Sequence, residues 1–172
     1  MDAKKKNKHR KGSMQMNKKM QGLVILLFLV ISGIWPGHAA SDIVLLKGQS
    51  VYVPIYSHIY HGDRERPFDL TATLSIRNTD PKQEITLLSA DYFDSDGKFL
   101  KNYVETPLQL KNFASTRYVI KSTDTTGGSG AKFIVRWQST EPVNPPLIEA
   151  IMIGTKSQQG ISFISRGIAI KE

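Results

Sequence analysis

From Leu70 to Arg77 apolar and polar side chains alternate without a break, with Leu70, Ala72, Leu74 and Ile76 on one row and Thr71, Thr73, Ser75 and Arg77 on the other. A period of two marks a half-buried strand, because successive side chains leave opposite faces of the pleat. Asn78-Thr79-Asp80-Pro81 stops it: Asn and Asp bond their own backbone, and Pro fixes φ while offering no N–H to a ladder. Ile85 to Phe93 resumes in β-branched and aromatic residues, but Ile85 and Leu87 are out of phase with Leu88, Ala90 and Tyr92, which predicts a bulge. Asp94-Ser95-Asp96-Gly97 supplies a turn, and Phe99 to Val104 returns as the partner strand. Leu70 to Tyr103 is therefore expected to form a meander of three antiparallel strands.

The same pattern extends to both sides. Val51, Val53 and Ile55 share one face and Tyr52, Pro54 and Tyr56 the other; Pro54 predicts that this strand lies at a sheet edge. Leu108-Gln109-Leu110 and Arg117 to Lys121 are short strands, and Ser122 to Gly130 reads as a flexible loop. Lys132 to Gln138 turns Phe133, Val135 and Trp137 inward; Pro142, Pro145 and Pro146 punctuate the loop that follows. Leu147 to Ile153 is apolar on both faces apart from Glu149, as a central strand or one covered on both sides should be, and Ile161 to Ile164 with Gly167 to Ile170 form one broken strand. No segment beyond the first 40 residues keeps a helical period. These strands predict an all-β fold, an antiparallel two-sheet β-sandwich of immunoglobulin-like architecture, with a small β-barrel as the alternative.

Ahead of this domain stands a different kind of sequence. Of 23 Lys and Arg residues, eight precede the apolar run Leu23 to Trp35, against one acid, Asp2. That run is short of the roughly 20 residues a membrane span needs, and it ends at Pro36-Gly37-His38-Ala39-Ala40. Residues 1–40 are thus expected to be a helical secretory signal with a long basic start, cut after Ala39 or Ala40, leaving 41–172 as one domain. The predicted address is periplasmic or extracellular, with membrane contact only through the leader if it stays attached. The charge remaining beyond the leader is 15 basic against 14 acidic residues, so the folded part has no basic footprint for nucleic acid. There is no Cys, and so no disulfide in a compartment that would permit one.

Candidate chemistry concentrates in Ser57 to Pro67. Tyr52, Tyr56 and Tyr60, beside His58, His61, Asp63 and Arg64, offer amphipathic contact for a protein, peptide or glycan partner. The alternative is a zinc or copper site on His58, His61 and Asp63, which requires the chain to turn at Tyr60 to Gly62, because strand residues three apart face opposite ways. Ser57, His58 and Asp63 are residue types of a hydrolytic triad, but no nucleophile-elbow motif accompanies them, and the chain is read as non-enzymatic. Asp91, Asp94 and Asp96 echo part of a calcium loop but fit a hairpin turn better. Gly127 to Gly130 lacks the following helix with which such loops cradle phosphate.

Five stretches, Tyr52 to Tyr60, His61 to Arg64, Leu74 to Asp80, Gly127 to Ala131 and Met152 to Thr155, resemble the bacterial exported proteins grouped as domain of unknown function 3124. The resemblance implies export and a single domain, and it carries over no catalytic residue.

Overall fold

In a computed structural model of the chain, residues 43–155 and 160–172 are described; the expected leader lies outside them. The described residues contain twelve strands and no helix. In chain order they are β1 (Leu46–Pro54), β2 (His58–His61), β3 (Arg66–Asp69), β4 (Thr71–Arg77), β5 (Ile85–Phe93) and β6 (Phe99–Asn102), then β7 (Leu108–Leu110), β8 (Ser115–Ile120), β9 (Lys132–Val143), β10 (Leu147–Gly154), β11 (Ile161–Arg166) and β12 (Ile168–Ile170).

Two antiparallel sheets form the body. The first runs β12-β1-β9-β5-β6, with β7 also on β5, and the second runs β11-β10-β4-β8. Neither closes on itself, so the fold is a sandwich and not a barrel. The inward rows are those the alternation predicts. Val51, Val53 and Ile55, with Phe133, Val135 and Trp137, come from one sheet and its extension; Ala72, Leu74, Ile76, Ile148, Ala150 and Met152 come from the other, all in one buried cluster. Each fully buried Leu or Ile in it contributes roughly 1.5–3 kcal/mol of transfer free energy, and no disulfide is present to supplement that packing.

Several local features follow the sequence closely. The register of β5 on β9 shifts between Leu87 and Ser89, which lets Ile85, Leu87, Ala90 and Tyr92 all face the core. Gly97 takes φ 85° in the turn before β6, a conformation costly for a side-chain-bearing residue. β10 is central, with β11 on one side and β4 on the other.

Four expectations are corrected. The meander is only half present: β5 and β6 pair, but β4 lies in the opposite sheet between β10 and β8. Residues 78–84 are a crossing between layers and not a hairpin turn. β1 is not an edge strand, since β9 and β12 flank it; β12 stops pairing at Tyr52, so Pro54 has a neighbour on one side alone and its missing N–H breaks no second ladder. β9 continues through Pro142 to Val143 where a loop is expected. The final broken strand is two strands in two sheets, β11 on β10 and β12 on β1. The switch falls at Gly167, where an added Cβ would stand 2.5 Å from Val51 Cγ1 and 3.0 Å from the carbonyl oxygen of Ile148.

The crossings share a polar knot. Asn78 is 2% exposed, and its Nδ2 donates to the carbonyl oxygens of Gln83 at 2.8 Å, Leu110 at 3.1 Å and Lys111 at 3.0 Å. Asp80 accepts the backbone N–H groups of Lys82 and Gln83 on Oδ1, each at 2.9 Å, and of Asn144 on Oδ2 at 3.0 Å. Three connections that pass between the sheets, β4 to β5, β7 to β8 and β9 to β10, are thereby tied at one place.

Candidate functional site

The segment richest in candidate chemistry folds as a separate two-stranded hairpin, β2 on β3, joined at its base to the sandwich. Its reversal uses positive φ at Gly62 (67°) and Glu65 (48°), closed by the N–H of Glu65 on the carbonyl of Gly62 at 3.1 Å. Pairing Ile59 with Phe68 and His61 with Arg66 gives the hairpin two faces. One carries Ile59 and Phe68 against the sandwich, with Phe68 6% exposed, and the exposed His61 and Arg66 further toward the tip; the His61 ring meets Phe68 edge-on at 6.2 Å. The other carries His58 and Tyr60, whose rings meet at 5.1 Å with Nε2 and the phenol oxygen 3.2 Å apart.

His58 and His61 therefore stand on opposite faces. β2 stays extended through His61 and the turn begins only at Gly62, so the bend that would bring both imidazoles to one ion does not form. Among the described residues no group of three or more His, Asp or Glu is gathered at one point. The triad residues are not assembled either: Ser57 is buried, and its hydroxyl lies 3.2 Å from the phenol oxygen of Tyr92.

The other sequence motifs resolve into structure. Asp91 is turned to Arg136 at 2.6 Å and Ser89 at 3.1 Å, while Asp94 Oδ1 accepts the N–H groups of Asp96 and Lys98 at 3.0 and 2.8 Å, so the three aspartates serve a strand and a turn. The Ser122 to Gly130 loop, expected to be flexible, is pinned. Gly127 O accepts the Ser95 N–H and hydroxyl, Gly130 N–H donates to Ser95 Oγ at 2.9 Å, and Gly128 O accepts the N–H of Ser57 at 3.1 Å. The amides a phosphate would need are engaged at Gly128 and Gly130.

The three tyrosines occupy three surroundings. Tyr52 lies half-buried between Ile134 and Ile168 on the outer face of the first sheet. Tyr56 packs edge-on to Phe163 of β11 at 5.6 Å. Tyr60 alone is open, 55% exposed on the hairpin. Beyond it, at the hairpin tip, His61, Gly62, Asp63, Arg64 and Arg66 line a shallow hollow of about 270 Å³. Arg66, within the Ser57 to Pro67 segment, joins that hollow through its pairing with His61.

These features define a two-sheet all-β domain carrying a small accessory hairpin. The chain belongs to the family described as protein of unknown function DUF3124, whose profile matches residues 48–170. The fold also has a partial likeness to a crystal structure of Thermotoga maritima 1070, with a TM-score of 0.41 and 12% identity over 70% of this chain and 92% of that one. No curated protein matches the chain.

Proposed function

We propose that this chain is an exported, non-enzymatic β-sandwich protein that engages a protein, peptide or glycan partner through the tip and open face of the His58–Asp69 hairpin. The observation that carries the reading is the hollow bounded by Arg64 and Arg66 next to the exposed Tyr60. An aromatic ring with a polar tip beside two guanidinium groups suits recognition, since Tyr and Arg dominate contact energies at interfaces. Both sides of the hairpin's base are held, by Ser57 on Gly128 and by Leu70 N–H on the carbonyl of Ser57 at 2.9 Å, so its tip is presented in a fixed place. Export rests on the basic start and the apolar run of residues 1–40.

Two measurements test this. Intact mass of the protein recovered outside the cytoplasm should lack the leader. Binding of the full chain to an array of glycans and to peptides displayed from its own exported proteome should give ligands that Tyr60→Ala with Arg64→Ala loses while the unfolding temperature stays put. Ligands bound equally by that variant would remove the hairpin from the account.

A further inference from the structure

Away from the hairpin tip, an open cleft of about 540 Å³ lies between β6, an outermost strand of the first sheet, and β8, one of the two outermost strands of the second. Its floor is the ring of Tyr103, packed edge-on against Tyr92, Tyr118 and Phe133 at 6.2, 5.8 and 5.4 Å. Lys101 forms one wall, with Nζ 4.7 Å above the Tyr103 ring. Val119, Lys121 and the loop through Thr126 form the other.

The charge of this cleft is unbalanced. Its one carboxylate, Asp124, already accepts the N–H of Thr126 at 3.1 Å and its hydroxyl at 2.6 Å on the same oxygen. Among the described residues both ion pairs are made by Arg136, so neither Lys101 nor Lys121 is paired with an acid. The loop wall continues into the pinned stretch from Gly127 to Gly130, so the cleft needs little ordering to receive a ligand. Among the described residues β8 pairs with β4 alone, which leaves a row of backbone N–H and C=O groups along its other side.

We propose that the cleft takes an acidic peptide in extended form, added to β8 as a fifth strand of the second sheet, with its carboxylates on Lys101 and Lys121. Strand addition supplies main-chain hydrogen bonds, and the lysines select the side chains. A sugar is the poorer fit, because stacking on Tyr103 requires an open ring face and Lys101 stands over it. This site is independent of the hairpin reading.

The probe is a fluorescein-labelled peptide alternating Val with Glu or Asp over six residues, titrated with the full chain and followed by anisotropy. Saturable binding is expected, weakened roughly tenfold or more by Lys101→Gln with Lys121→Gln, and weakened in part by each single change. Tyr60→Ala with Arg64→Ala should leave it unchanged. The peptide with Lys in place of its acids should not bind, and N-methylation of either the valines or the acidic residues, whichever row faces β8, should abolish binding. Absence of saturable binding, indifference to the lysine changes, binding that survives both methylations, or equal competition by trigalacturonate would each overturn the proposal.

Discussion

Asp80 accepts the backbone N–H of Asn144 at 3.0 Å, across 64 positions of sequence. The bond joins the β4 to β5 crossing, from the second sheet to the first, with the β9 to β10 crossing, from the first to the second. Three backbone donors lower the Asp80 carboxyl below its ordinary range, and burial opposes them less strongly. A carboxylate whose folded pKa is depressed adds stability above its unfolded value, near about 3.9, and loses it as pH falls through the folded one. Urea midpoints should therefore drop as pH falls below about 4, and more steeply in the native chain than in Asp80→Asn, which keeps one acceptor and cannot titrate. Parallel curves would remove Asp80 from the acid response.

Asn78 is the neutral half of the same knot. Asn78→Ala strips a hydrogen-bond partner from three carbonyls and opens the crossing to collapse. A loss of about 2–4 kcal/mol in chemical unfolding is expected, because buried polar groups left unpaired each cost about 1–3 kcal/mol. Asn78→Asp should also destabilise, since a carboxylate cannot donate to those carbonyls.

Gly127 lies against Tyr92. A methyl group there would overlap the Tyr92 phenol oxygen and come within 2.8 Å of Ala131 Cβ. Gly127→Ala should cost about 1–3 kcal/mol, as overpacking of a filled site does. Adding Tyr92→Phe removes the nearest obstacle, so the double variant should be more stable than the sum of the two single losses predicts; strict additivity in a double-mutant cycle would refute the contact.

Gly167→Val tests the strand switch. The side chain has no room between Val51 and Ile148, so β12 must leave β1 or β11 must leave β10. Amide exchange should quicken along Ile168 to Ile170 in the first case or Ile161 to Arg166 in the second, with slower change in β4 and β9. Uniform quickening would instead mean that the site limits global unfolding.

The candidate site was legible in composition but not in shape. H-x-x-H with Asp63 is visible in the sequence, yet whether the two imidazoles converge depends on the backbone between them, and that backbone stays extended through His61, which sends the two rings to opposite faces. The β6 and β8 cleft has no local signature at all. Lys101 and Lys121 become neighbours of one cavity only because two different sheets end side by side.

Alternation along Val51 to Ile55, Leu70 to Ile76 and Phe133 to Trp137 determined which side chains are buried, because the pleat admits one inward row and water takes the other. Phase breaks and turn residues likewise determined the bulge near Leu88 and the reversal at Gly97. Which strands become neighbours was decided only in three dimensions. A period of two is the same whether the next strand pairs in the same sheet or crosses to the opposite one, so the division of β4 from β5 and of β11 from β12 depends on distant partners. Asn78, Asp80 and Gly167 hold those crossings through groups remote in sequence.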